Sequence, residues 1–195
     1  MGWACIIRLM ENTILPYNQA RRQIYDGDLI FFRGSGPVSS AIMSVTSCPF
    51  SHVELAQWNQ GLLMTMGATS QGTVYRRLSA VAPDYSIMAV GRARRGAHED
   101  GAAADKATQT ALNHLGKPYD FARLAEIWIR EKMGADDKAD LAESDDAFIC
   151  SEYVALAWRA AGLDLAPDKP DRLTTPADLY GSALVEVRFE FTLPG

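Results

Sequence analysis

The 195-residue sequence predicts an α+β fold, because its strand signals crowd the first half and its helix signals the second. Up to about residue 90, short apolar or alternating runs are separated by Gly-containing turns; from residue 100 onward, apolar positions recur at helical spacing. The length suits one domain with a substantial core and is short for two, so a single domain over residues 1–195 is expected.

Taken in order, residues 18–25 read as a short polar helix, and Asp26-Gly27-Asp28 turns the chain into the buried-strand run Leu29-Ile30-Phe31-Phe32. Gly34, Ser35, Gly36 and Pro37 end that strand, residues 38–45 form a short helix, and Ser47-Cys48-Pro49-Phe50 is a loop. Residues 52–58 and 62–66 flank Asn59-Gln60-Gly61, which predicts a β-hairpin closed by a Gly-containing turn. Further strands are expected near residues 73–77 and 86–90. Ala104, Ala107, Ala111, Leu112 and Leu115 make one helix face that Gly116 and Pro118 stop, and residues 121–133 make a second helix with Asp120 as its N-cap. The acidic run 134–146 reads as a solvated surface segment. Residues 150–161 form an apolar-faced helix ended by Gly162, Thr175-Pro176-Ala177 opens a short helix, and residues 184–191 form the last strand.

Composition narrows the class. Apolar residues make up 48% and charged residues 22%, and no apolar run approaches the roughly 18 residues that suggest a membrane span. The first residues carry no basic stretch ahead of an apolar run, so no secretory leader and a cytoplasmic location are expected. A net charge of −5 argues against a nucleic-acid partner, and the cluster Arg92, Arg94 and Arg95 reads as a solvated loop. Cys5, Cys48 and Cys150 are odd in number and widely spaced, which suits neither a disulfide framework nor a paired-cysteine zinc site, so at least one thiol is free.

Cys150 stands where the apolar pair Phe148-Ile149 gives way to a helix. A thiol at a helix N-terminus meets unpaired N–H groups and the positive end of the dipole, both of which favour the nucleophilic thiolate. A buried structural role is the commoner fate of a lone cysteine, so Cys150 needs a partner to count as catalytic. His52 opens a strand with Glu54 two residues on, and the two share one face while Val53 and Leu55 share the other. Glu54 on the second ring nitrogen would fix the tautomer and support the imidazolium beside a thiolate. His98 lies in the Arg-rich loop and His114 at a helix end, neither with an evident partner. Cys48 and His52 are separated by Pro49 and lack a second ligand pair, so no metal site and no cofactor are expected.

Four segments, in this order, carry a resemblance: Gly27-Asp28-Leu29-Ile30-Phe31-Phe32, Ser51-His52-Val53-Glu54-Leu55, Gly116-Lys117-Pro118-Tyr119-Asp120-Phe121 and Cys150-Ser151-Glu152-Tyr153-Val154. Together they resemble the circularly permuted NlpC-type papain-like amidases, the YiiX-like group, in which the histidine strand precedes the cysteine helix. The resemblance implies a papain-like α+β core, a small antiparallel sheet or barrel packed on helices. It also implies a cysteine amidase or peptidase in which Cys150 attacks an amide or ester carbonyl, His52 acts as base, and a thioester forms. The Cys150 N–H and the Tyr119 hydroxyl are the oxyanion candidates. Relatives often place the third polar partner on the strand after the histidine strand; here that strand has no carboxylate, so Glu54 is the first choice, with Thr65 or Thr69 behind it and Glu152 as a structural acid of the first helical turn. The substrates this implies are a peptide, including a peptidoglycan fragment, or a lipid acyl group if the chain acts as an acyltransferase or lipid hydrolase of the lecithin retinol acyltransferase type. A non-catalytic binding module is the reading from a different class.

Overall fold

Seven strands in one sheet, in the order β1-β7-β6-β2-β3-β4-β5, organise the computed structural model, which describes residues 14–81, 85–94, 101–133 and 146–193. The strands are β1 (Ile14–Pro16), β2 (Leu29–Gly34), β3 (His52–Asn59), β4 (Leu62–Thr69), β5 (Gly72–Arg77), β6 (Tyr85–Ala93) and β7 (Val185–Thr192). The helices are α1 (Tyr17–Ala20), α2 (Pro37–Thr46), α3 (Ala102–Asn113), α4 (Phe121–Met133), α5 (Cys150–Ala160) and α6 (Pro176–Gly181). Cys5, Arg95, His98 and residues 134–145 of the acidic run lie outside the described residues. None of the described helices is long and apolar enough to cross a membrane.

The expected β3–β4 hairpin forms, with Asn59 facing Leu62, and the turn places Gln60 and Gly61 at φ 49° and 79°, the left-handed pair that matches strand twist. The sheet departs from expectation in size and direction. It is mixed, because β1 pairs parallel with β7, and among the described residues its ends β1 and β5 do not pair, so it is an open sheet. The cause is the chain's return: β7 joins β6 rather than forming an edge, and the three residues of β1 then cover the edge of β7. So short a strand, ending in Pro16, leaves no periodic signal. The helix expected at 18–25 is shortened to α1 plus a 3₁₀ turn at Arg21–Gln23, because the Tyr25 N–H is captured by the Asp28 carboxylate at 2.8 Å.

Strand alternation divides the core. Leu29, Phe31, Val53, Leu55, Met66 and Ala68 join Ala104, Ala107 and Ala111 of α3 and Tyr153, Val154, Ala157 and Trp158 of α5 in one buried cluster. Ile30, Phe32, Ala56, Leu63, Met88 and Val90 form a second cluster on the other side, covered by Ala20, Ile24, Leu78 and Val81. Of the Arg cluster, Arg94 is exposed as expected, but Arg92 is not simply solvated: it lies on β6 and donates Nε and Nη2 to the two oxygens of fully buried Asp28, at 2.8 and 2.7 Å. That pair fixes the turn entering β2, and Asp28 also fixes the Tyr25 N–H.

Trp158 anchors α5. It is completely buried, and its indole N–H donates to the Gly27 carbonyl at 3.2 Å, tying the helix to the turn before β2. Trp158→Ala should lower the unfolding free energy by about 3–5 kcal/mol in chemical denaturation. A loss under about 1 kcal/mol would show that this contact is not a principal anchor.

Candidate active site

Cys150 is the first residue of α5, and His52 is the first residue of β3. The two side chains are hydrogen-bonded, and the backbone N–H groups of Val53 and Ser151 also point at the sulfur. Only 5% of Cys150 and 9% of His52 is exposed, so the pair is shielded from bulk water yet reachable. Burial by itself pushes the Cys150 thiol up. The charge and hydrogen bond of His52 and the two backbone donors more than offset that, and the thiol is held below its ordinary range. His52 responds in the opposite sense: burial pulls it down, but Cys150 and then Glu54 raise it well above 6.5.

His52 Nε2 donates to Glu54 Oε1 at 2.9 Å, which leaves Nδ1 as the nitrogen that faces the sulfur. The ring packs against Phe32 and is stacked at 16° on Tyr85, so its plane is held as well as its tautomer. Glu54 is fully buried. Desolvation would raise its pKa, but the hydrogen bond and charge of His52, then the charge of Arg76 and the Thr65 hydroxyl, hold it down at about 2. Glu54 Oε2 and Thr65 Oγ1 make no well-formed hydrogen bond among the described residues, and the hydroxyl is the polar group nearest in kind to serve that oxygen.

Arg76 and Gly67 are site residues that the sequence reading missed. Arg76 Nη2 donates to Glu54 Oε1 at 2.6 Å. The register pairs Thr65 with Arg76 across β4–β5, and the β3–β4 register carried on from Leu55↔Met66 sets Gly67 opposite Glu54. A Cβ at Gly67 would sit 2.4 Å from Glu54 Cγ, so only a glycine lets the glutamate lie across β4 toward β5. Counting register from the two hairpin turns would have found both residues, because each turn fixes which side chains share a face.

The remaining candidates separate. Thr69 Oγ1 donates to the Gly72 carbonyl in the β4–β5 turn and takes no part in the chain from Cys150 to Glu54. Glu152 accepts the Ile149 N–H at 3.3 Å and faces Arg123 at 3.6 Å; burial, against the pull of Arg123, raises its carboxyl to about 7. It caps α5 and ties it to α4. Asp120 caps α4 as expected, its Oδ1 accepting the Arg123 N–H at 2.8 Å. His114 closes α3 through the Thr110 carbonyl.

Tyr119 is carried to the sulfur by the backbone. Its segment runs parallel to Phe148, with Asp120 N–H donating to Phe148 O at 3.0 Å and Phe148 N–H to Pro118 O at 3.1 Å. Burial, then the charge on Cys150, drives the phenol pKa upward, so the hydroxyl stays protonated and available as a donor. Beside Cys150 and Tyr119 opens a groove of about 430 Å³, its open mouth included, walled by Ile42 and Val45 of α2, Leu124, Ile127 and Trp128 of α4, and Pro176. Glu131 is its one charged lining residue, and no lysine or arginine lines it among the described residues.

Compared with solved structures, the chain is similar to one described as metalloprotein YiiX from Escherichia coli O157:H7, DUF1105. The two are 21% identical, the match covers 88% of this chain and 99% of that one, and the TM-score is 0.67. The chain therefore shares the YiiX fold. No family model matches the sequence, and no curated protein matches it.

Because Glu54 is held near 2 in the folded chain and near 4.5 when free, its ionisation adds stability above about pH 4.5, and that stability is lost as pH falls toward 2. The unfolding free energy of the wild type should drop more steeply across that window than that of Glu54→Gln. Parallel acid limbs for the two proteins would remove Glu54 from the buried ionised state described here.

Proposed function

We propose that the chain is a cysteine acyl hydrolase, papain-like in chemistry and permuted in chain order, with Cys150 as nucleophile and His52 as base. The observation that carries this reading is the continuous hydrogen-bonded chain from Cys150 through His52 to Glu54, with the thiol lowered and the imidazole raised. A thiolate–imidazolium pair shielded from water is the activated state of a cysteine nucleophile.

In the reaction, the Cys150 thiolate adds to an ester or amide carbonyl, and the carbonyl π pair moves onto oxygen. The Cys150 N–H, which as an N1 donor has no intrahelical acceptor, and the protonated Tyr119 hydroxyl are the groups offered to that oxyanion. Collapse expels the alcohol or amine, which takes its proton from His52, and leaves an S-acyl thioester. His52, now neutral, removes a proton from water as the water attacks the thioester. The acid leaves, and Cys150 and His52 return to their starting charges.

The groove favours an apolar acyl group over a cell-wall peptide. A peptide site would present a cationic partner for carboxylates, whereas this lining is mainly aliphatic and aromatic. Transfer of the acyl group to an amine or alcohol in place of water follows the same steps and is the second reading the groove supports. YiiX is described as a metalloprotein. In this chain no group of three or more His, Cys, Asp or Glu side chains that could hold a metal ion occurs among the described residues, and Glu54 Oε1 is already taken by His52 and Arg76. The donor set of the described residues does not fit a resident metal, and no step here uses one.

Iodoacetamide labelling of Cys150, mapped by peptide mass, should persist below pH 7 in the wild type and be at least about tenfold slower at pH 6.5 in His52→Ala. Identical pH profiles in the two proteins would sink the activated-thiolate reading. With p-nitrophenyl esters of increasing chain length, a covalent acyl adduct should form on Cys150, be absent in Cys150→Ala, and accumulate faster with octanoyl than with acetyl groups. The reverse chain-length order would rule out the groove as the acyl site.

A further inference from the structure

We propose that Arg76 is a positioning residue of this site: reaching from β5 across the gap left by Gly67, it holds the Glu54 carboxylate charged and aimed at His52. The proposal rests on the cysteine-hydrolase reading above and adds a fourth member to its machinery. Cys150, His52, Glu54 and Arg76 form a row of alternating charge, in which Glu54 Oε1 accepts from His52 Nε2 at 2.9 Å and from Arg76 Nη2 at 2.6 Å.

Three observations carry it. Glu54 has no exposed surface, so an ionised carboxylate there needs a cation besides the imidazolium, whose own charge depends on the thiolate. Both donors converge on one oxygen, which fixes the rotation of the carboxylate and hence the direction in which the imidazole is held. The path is built for the contact, because Gly67 leaves open the space the glutamate crosses. An ion pair between a buried carboxylate and a partly exposed arginine is a weak source of stability, so placing one directly behind the imidazole is better accounted for by orientation and charge.

The groups facing Glu54 come from three neighbouring strands and one helix: His52 on β3, Thr65 on β4, Arg76 on β5, and Tyr153 on α5, whose hydroxyl is committed to the Ala111 carbonyl. Without Arg76, burial favours the neutral acid. A neutral Glu54 supports the imidazolium less, and the thiolate with it. Glu152 titrates nearby but faces Arg123 and the Ile149 N–H, and it is unchanged in every variant below.

The test is the pH profile of Cys150 alkylation by iodoacetamide, which needs no substrate. Arg76→Met should move the acid limb of that profile to higher pH by about one unit, or about tenfold in rate at a fixed pH below the midpoint. Arg76→Lys should recover most of the shift. Adding Arg76→Met to Glu54→Gln should cause little further change, because the arginine acts through the carboxylate; this double variant also leaves no uncompensated buried charge, so it keeps the test available if Arg76→Met alone folds poorly. A folded Arg76→Met protein with an unmoved limb, or an equal shift with and without Glu54, overturns the proposal while leaving the nucleophile assignment intact. An ordinary thiol profile in the wild type, centred near 8.5, overturns the hydrolase reading and the proposal together.

Discussion

A carboxylate with no exposed surface is tolerated only where cations and donors replace the water it has lost, and Glu54 is such a group. His52 on one side and Arg76 on the other supply that replacement at one oxygen. Much of the site follows from this requirement. β3, β4 and β5 must hold a fixed register, Gly67 must have no side chain, and His52 must present Nε2 inward, which turns Nδ1 to the sulfur. The sheet is therefore more than a platform, because its register sets the tautomer and the charge of the imidazole.

The helix that carries the sulfur is placed by a different kind of force. Trp158, Tyr153, Val154 and Ala157 bury the inner face of α5 against β3, β4 and α3, so the start of the helix is fixed by packing several residues away. With the helix held, the Ser151 and Val53 N–H groups and His52 together outweigh the desolvation of a thiol that is nearly enclosed. The same segment pairing that brings Phe148 beside Tyr119 sets a protonated phenol next to Cys150. α2 and α4 then stand on either side of the groove, and their facing aliphatic and aromatic side chains give Cys150 an apolar neighbourhood on the groove side.

Local pattern made a good part of this legible. The alternation His52-Val53-Glu54-Leu55 placed histidine and glutamate together, and the apolar pair before Cys150 marked a helix start. Asp120 read as a cap is a cap. β1 and its parallel pairing were not legible, because three residues ending in proline have no period to detect. Arg92 read as solvated because charge clusters usually are, yet its partner Asp28 lies 64 residues away in the chain. Arg76 and Gly67 were hidden for a related reason: neither is unusual in its own strand, and each acquires meaning only from what the next strand sets opposite.

Sequence alone determined Cys150, His52 and Glu54 as candidates and the faces they occupy, since period-2 and period-3.6 patterns and helix-start signals act over a few neighbouring residues. Tertiary structure decided which of those residues meet. Sheet register, the docking of α5 and the parallel return of β7 against β1 depend on contacts between segments far apart in the chain, and burial of Glu54 between His52 and Arg76 is a property of those contacts rather than of any one segment.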